Sequence, residues 1–250
     1  MNRRVLQRIS ILALLIAAIP GRLFAGPPLA IDDPGVLDPG QWEIIVAATM
    51  ASTPEGEGYE APILDVSYGL TPNTQASIVY QYVFVEPDIG TSESDFGNLG
   101  VGYKWRFINN DNLQIAFAPA YAFGVSSSKA AQGIGDETDA LFLPLDLQYD
   151  FGPWSLLAEF GYESVESDQD AWAYGAALMR MVGERTQVMF ELYGGADTDF
   201  DNDELNFHIG VDVELVTDLH LLASAGSGLR EPRGATELDF DIFLGLQYFR

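Results

Sequence analysis

The sequence predicts an all-β protein, a closed antiparallel transmembrane β-barrel of about twelve strands that follows a cleaved signal peptide. Three observations lead there. Apolar and polar residues alternate with period two through most of the chain, in segments near the length that a tilted strand needs to cross a bilayer. The connections between segments alternate short and long, which sorts the turns onto one rim and the loops onto the other. Aromatic residues gather near segment ends on the apolar parity, as they do where a barrel meets the two membrane surfaces.

The amino terminus has the layout of a secretory leader. Arg3, Arg4 and Arg8 precede an apolar run from Ile11 to Ile19, and a small residue, Ala25, closes the segment. The run is too short to anchor in a bilayer comfortably, because a spanning helix needs roughly 20 apolar residues. Residues 1–25 are therefore expected to be removed, residues 26–40 to form a periplasmic N-terminal segment, and residues 41–250 to form the barrel.

Composition narrows the function. The chain carries 37 acidic against 12 basic residues, a formal charge of −25, and cleavage would remove four of the arginines. Nucleic acid is an unsuitable partner, since phosphate contacts need clustered Lys and Arg. The 48% hydrophobic content, interleaved with the acids, argues against disorder. With no cysteine, disulfides, thiolate metal sites and cysteine nucleophiles are excluded.

The predicted strands, in order, are approximately Gln41–Ala51, Ala61–Gly69, Gln75–Glu86, Phe96–Phe107, Leu113–Gly124 and Ala140–Tyr149. Trp154–Ser164, Ala171–Met181, Thr186–Gly194, Glu204–Leu215, Leu219–Gly228 and Glu237–Phe249 complete the set. Tight turns are expected at Leu70–Thr74, Ile108–Asn112, Asp150–Pro153, Val182–Arg185 and Val216–Asp218. The long loops are expected at Ser52–Glu60, Pro87–Asp95, Val125–Asp139, Val165–Asp170, Gly195–Asp203 and Leu229–Thr236. Pro62, Pro119 and Pro144 lie within predicted strands, where a closed barrel has no free edge to receive them, so bulges are expected there.

On the lipid-facing parity, the expected membrane-interface aromatics are Trp42, Tyr68, Trp105, Tyr149, Trp154, Trp172 and Tyr248. Arg180 shares that parity at a short-turn end, where its head group reaches the interface. On the inward parity lie Glu43, Asp65, Asp146, Glu159, Glu191, Asp212, Glu214, Asp239 and Asp241, against Lys104 and Arg106. These are the candidate lumen-lining residues. They suggest a path that prefers cations, with Lys104 and Arg106 paired to nearby acids at a narrow point toward the periplasm. The same side chains could instead fill and brace the interior, since a barrel of this size lies between filled barrels and open porins.

Several stretches carry a resemblance. PPLAIDDPGVLDPGQWEI at residues 27–44, PILDVSYGLTPNTQASI at 62–78, DFGNLGVGYKWRF at 95–107 and GLQYFR at 245–250 resemble the "MetA-pathway of phenol degradation" or transporter family of outer-membrane proteins. The resemblance covers most of the mature chain through turn-and-strand patterns. It implies an outer-membrane barrel that passes small molecules, with aromatic or other hydrophobic compounds among the candidates. Outer-membrane lipids and the barrel-assembly machinery are the implied partners. Such proteins tend to end on an aromatic residue, whereas here Arg250 follows Phe249, which displaces the assembly signal by one position.

Catalytic and metal motifs are weak. Asp197–Glu204 begins like a calcium loop but lacks the glycine at its sixth position, and His208 stands where the closing glutamate belongs, so a solvated acidic loop is favoured. No cofactor and no metal site are predicted. His208 and His220 both lie on the inward parity, whereas a lipid-acting enzyme would need a Ser-His pair facing the bilayer. Ser227 lies in Gly226-Ser227-Gly228 rather than in a nucleophile elbow. The sequence therefore favours a channel over two alternatives, a structural or surface-interaction barrel with a plugged lumen and an outer-membrane enzyme.

Overall fold

The computed structural model describes residues 26, 28–166, 170–231 and 238–250. The expected leader, residues 1–25, lies outside them, as do parts of the loops near 165–170 and 229–236. The strands are β1 (Trp42–Thr53), β2 (Gly56–Thr71), β3 (Thr74–Pro87), β4 (Glu93–Asn109), β5 (Leu113–Phe117) and β6 (Ala120–Phe123). They continue as β7 (Ala140–Phe151), β8 (Trp154–Val165), β9 (Ala171–Met181), β10 (Thr186–Asp197), β11 (Leu205–Val216), β12 (Leu219–Arg230) and β13 (Phe240–Phe249). One helical turn, α1 (Ser127–Ala130), lies between β6 and β7.

Every neighbouring pair is antiparallel, and β13 returns to pair with β1 from Glu43↔Phe249 to Ser52↔Phe240. Trp42 and Arg250 exchange backbone hydrogen bonds at 2.7 and 2.9 Å and seal that seam. The β5 and β6 segments share one register against both β4 and β7, so they are halves of a single stave and the closed barrel has 12. Closure satisfies the backbone of every stave, which a strand protein in lipid requires.

The prolines explain the irregularities. Pro119 has no N–H to give the ladder, so the fifth stave lapses between Phe117 and Ala120 while the Pro119 carbonyl still accepts from Tyr103 N at 2.9 Å. At Pro62 the β2–β3 register shifts between Glu60 and Ile63. Pro144 stays in register opposite Gly161, so no bulge forms there.

One expectation about connections is corrected. Ser52–Glu60 is not a long loop: β1 and β2 run on through it as a ribbon closed at 54–55. Val125–Asp139 is the long connection expected, and it folds back over the barrel mouth and buries Ile134 against Val83 and Val85. The described parts of the remaining long connections share the rim of that mouth. The turns at 72–73, 110–112, 152–153, 182–185 and 217–218 occupy the other rim.

The outward face is an apolar band. Val46, Leu64, Ile78, Leu145, Phe190, Ile209 and Leu244 are all exposed, as are most other outward residues of their strands. At the short-turn rim Trp42 packs on Tyr68 at 4.6 Å, Trp105 on Phe107, and Tyr149 on Phe151. The Arg180 guanidinium lies 5.0 Å from the Trp154 ring. Near the loop rim, Trp172 stacks with Phe160 and Phe200. An apolar belt with ringed margins belongs in a bacterial outer membrane.

Candidate functional site: a plugged and partitioned lumen

The largest correction concerns residues 26–40. The described ones, 26 and 28–40, do not hang in the periplasm but enter the barrel from the short-turn rim and climb to about mid-depth, forming a plug. Leu29, Ile31, Pro34 and Leu37 are buried inside the wall.

Three adjoining strands build the socket. On β9 the inward residues Ala173, Gly175 and Ala177 are small. On its neighbours stand Glu159 of β8, opposite Gly175, and Glu191 of β10, opposite Ala177. The result is a trough with a carboxylate on each bank. Ile31 fills it, fully buried, and with Leu29 packs on Leu157, Ala177, Met179 and Met189. A Cβ at position 175 would lie 2.4 Å from Ile31 Cγ2, so glycine there is a condition of the fit.

The banks hold the plug by its backbone. Glu191 accepts from Ala30 N at 2.9 Å and Ile31 N at 2.8 Å, and Glu159 accepts from Asp32 N at 3.1 Å. Nearer the rim, Lys104 pairs with Asp32 at 2.7 Å and donates to the Asp33 carbonyl at 2.6 Å. Gln75 accepts from Leu37 N at 3.0 Å. The predicted lumen acids Glu159 and Glu191 therefore serve as amide acceptors, and Lys104 finds its acid on the plug rather than on the wall.

The other candidates divide. His208 lies between two acids, with Nδ1 3.0 Å from Glu191 and Nε2 2.6 Å from Asp241. Only a doubly protonated ring can donate to both. Gly226 makes room for it, since a Cβ there would strike the imidazole at 2.0 Å. Asp146 is fully buried opposite Glu159. Asp212 pairs with His220 at 2.7 Å, and half-buried Glu214 is near the short-turn rim. Glu43 accepts from Gln247 and, with Asp65, faces open space in the lumen. Two expectations fail. Arg106 bonds Gln114 and the Pro72 carbonyl, and no acid pairs with it among the described residues. Asp239 is exposed just before β13 and lines neither cavity.

The loop over the mouth is fastened by Asn98, a residue sequence reasoning passed over. Its side chain donates to the Phe123 and Asp136 carbonyls at 2.8 and 3.0 Å and accepts from Asp136 N at 2.9 Å. Asp139 adds a second clasp, accepting from Gly124 N at 2.7 Å and from the Tyr121 hydroxyl. Those two donors, the amide first, hold the Asp139 carboxyl below the usual carboxylate range. Because the folded value is depressed, the clasp is complete above the ordinary aspartate value of about 3.9 and is lost as pH falls through the folded one. Protection factors of the 124–139 amides, with the intrinsic pH dependence of exchange divided out, should fall on acidification below about pH 4. In Asp139→Asn exchange should already be faster at neutral pH, with less further change on acidification.

Plug and loop leave two cavities. The inner one, about 270 Å³, is lined by Asp33, Leu37, Glu43, Asp65, Gln75 and Lys104 among others. The outer one, about 320 Å³, has the plug residues Pro28–Ala30 beneath it and Gly133–Asp136 of the loop above. Ile45, Asp65, Val79 and Ala120 line both, so the cavities adjoin along the wall of β1 to β3, across the lumen from the socket.

The acidic loop after β10 uses its own groups: Asp197 accepts from Asp201 N at 3.0 Å, and Asp203 pairs with Arg230. Among the described residues no group of three acids or histidines is arranged to hold a metal. Ser227 donates to the Gly228 carbonyl at 3.4 Å.

Comparison with solved structures places this architecture. The COG4313 outer membrane channel from Pseudomonas putida F1 superposes with a TM-score of 0.69 over 92% of this chain and 99% of its own, at 15% identity. The fold is that of an outer-membrane β-barrel. The KdgM porin in complex with oligogalacturonate matches at 0.59, 10% identity, over 82% of this barrel chain and 98% of its own. The NanC porin matches at 0.59 and 10% over 83% and 99%. No protein-family model matches the barrel's sequence, and no curated protein matches it.

Proposed function

We propose that the protein is a narrow channel that passes small molecules across the outer membrane along the wall of β1 to β3, beside the plug. The observation that carries this reading is the junction of the two cavities at Ile45, Asp65, Val79 and Ala120. A lumen braced throughout would have its free volume filled by side chains.

Two features describe the cargo. The route has an apolar side, supplied by Ile45, Val79 and their neighbours, and an acidic one, where Asp65 stands at the junction with Glu43 below it. The charge favours cations over anions. The apolar side agrees with what the resemblance to the phenol-degradation transporter family implies, an aromatic or otherwise hydrophobic compound. The outer-membrane lipids and the barrel-assembly machinery are its proposed partners, and no catalytic step is assigned.

Single-channel recording of the mature protein in a planar bilayer tests the reading. Small conductance steps with a cation-selective reversal potential are expected, and Asp65→Lys should shift that potential toward anions. Silence at every voltage would favour a plugged structural barrel, and a reversal potential indifferent to Asp65→Lys would remove Asp65 from the path.

A further inference from the structure

The outer cavity has a division of chemistry that the channel reading does not use. Much of its wall is apolar: Ile45, Ala47, Ile63, Val79, Val83 and Val85 line it from β1, β2 and β3. At opposite ends of that wall stand two buried oxygens without a hydrogen-bond partner, Gln81 Oε1 and Asp241 Oδ1. Gln81 is only 6% exposed. Both residues line the cavity.

A buried acceptor without a donor costs about 1–3 kcal/mol, so both positions favour a ligand that brings donors. Charge then selects among donors. The cavity is lined by Glu60, Asp65, Asp136, Glu163 and Asp241 and by no Lys or Arg among the described residues. Its single imidazole, His208, is already held by Glu191 and Asp241. With that imidazole engaged by its own two acids, the other carboxylates repel an anion, whereas an ammonium would find a carboxylate with a free oxygen.

Spacing sets the shape. Asp241 is on β13 and Gln81 on β3, three strand spacings apart, and Gln81 shares its row with Ile63, Ala47 and Gly245, so Asp241 is offset by four residues along β13. Their backbones are therefore roughly 19 Å apart along the sheet. The wall curves inward and both side chains project into the lumen, so their polar ends approach more closely than that. Ile63 and Ala47 lie in Gln81's row, a surface for an apolar body on that side, and Thr49 stands between that row and Asp241. A volume of about 320 Å³ is at the small end for ligand pockets, enough for one ring and a short chain.

We propose that the outer cavity binds a small amphipathic cation, with an ammonium group against Asp241, an apolar body over Ala47 and Ile63, and a second hydrogen-bond donor at Gln81. The site deepens the channel reading and rests on it for the ligand's onward route past Asp65. Arylalkylamines that carry a ring hydroxyl have this layout.

Calorimetric titration of the full mature protein in a non-ionic detergent tests it, with tyramine as the probe. Saturable binding is expected, and 3-(4-hydroxyphenyl)propionate, which replaces the ammonium with a carboxylate, should not bind. Asp241→Asn should weaken tyramine at least about tenfold, since a charge-assisted contact is lost. Gln81→Leu should weaken it about three- to tenfold, and phenethylamine, which lacks the ring hydroxyl, should be insensitive to that change. Ala47→Trp should abolish binding by filling the space without touching either acceptor. Heat-dependent gel mobility reports folding of each variant, and if Asp241→Asn does not fold, Gln81→Leu and Ala47→Trp decide. No tyramine binding, equal binding of the carboxylate, or folded variants that bind like the parent would overturn the proposal. Binding without conductance would sink the channel reading and leave the site, and conductance without binding would do the reverse.

Discussion

Deleting residues 28–37 should raise single-channel conductance several-fold while leaving the barrel folded. The plug separates the socket side of the lumen from the open side, and it forms the floor of one cavity and the edge of the other. Without it the two spaces merge, and the narrowest section is set by the wall alone. The wall does not depend on the plug for its own ladder, since β1 begins at Trp42 and pairs on both sides from its first residues. The cost falls on Leu157, Met179 and Met189, which lose the cover of Leu29 and Ile31. Bilayer recordings of the deletion beside the parent would measure the change. Unchanged conductance would mean that current does not pass where the plug sits.

Glu191→Ala should be the most destabilising single substitution in the lumen. That carboxylate is fully buried, and it accepts from two plug amides and faces His208 Nδ1. Its loss strips the imidazole of one of its two acids and leaves two N–H groups without an acceptor. Removing one partner of a buried charged pair costs about 3–5 kcal/mol. Glu191→Gln keeps the volume and one acceptor, so its cost should be smaller. Urea unfolding in lipid vesicles would read both, and a loss in Glu191→Ala no greater than that in Glu191→Gln would contradict this account of the socket.

The wall was legible because a half-buried strand writes its two faces into alternate residues. Trp42, Ile44, Val46 and Ala48 against Glu43, Ile45 and Ala47 is such a record, and the structure turns the first set outward. Strand ends were less legible where no turn residue forces a stop, so the ribbon of β1 and β2 outran its prediction. The plug was not legible as a plug. Its anchors are backbone amides, which every residue but proline carries, and irregular backbone has no period. A signal did exist on the other side of the contact. Inward acids outnumbered inward bases so heavily that Glu159 and Glu191 needed donors from elsewhere, and an adjoining segment with Leu29 and Ile31 among turn residues could supply both amides and apolar cover. Asn98 and Ile134 escaped because one polar and one apolar residue in or near a loop carry no pattern until the loop is folded.

The grip of Glu191 on peptide nitrogens at Ala30 and Ile31 has a consequence for sequence drift. Such a clamp is indifferent to side-chain identity at Ala30, so most exchanges there leave it closed, and only an imino acid opens it. The residue there can thus vary its chemistry toward the outer cavity while the tether stays the same.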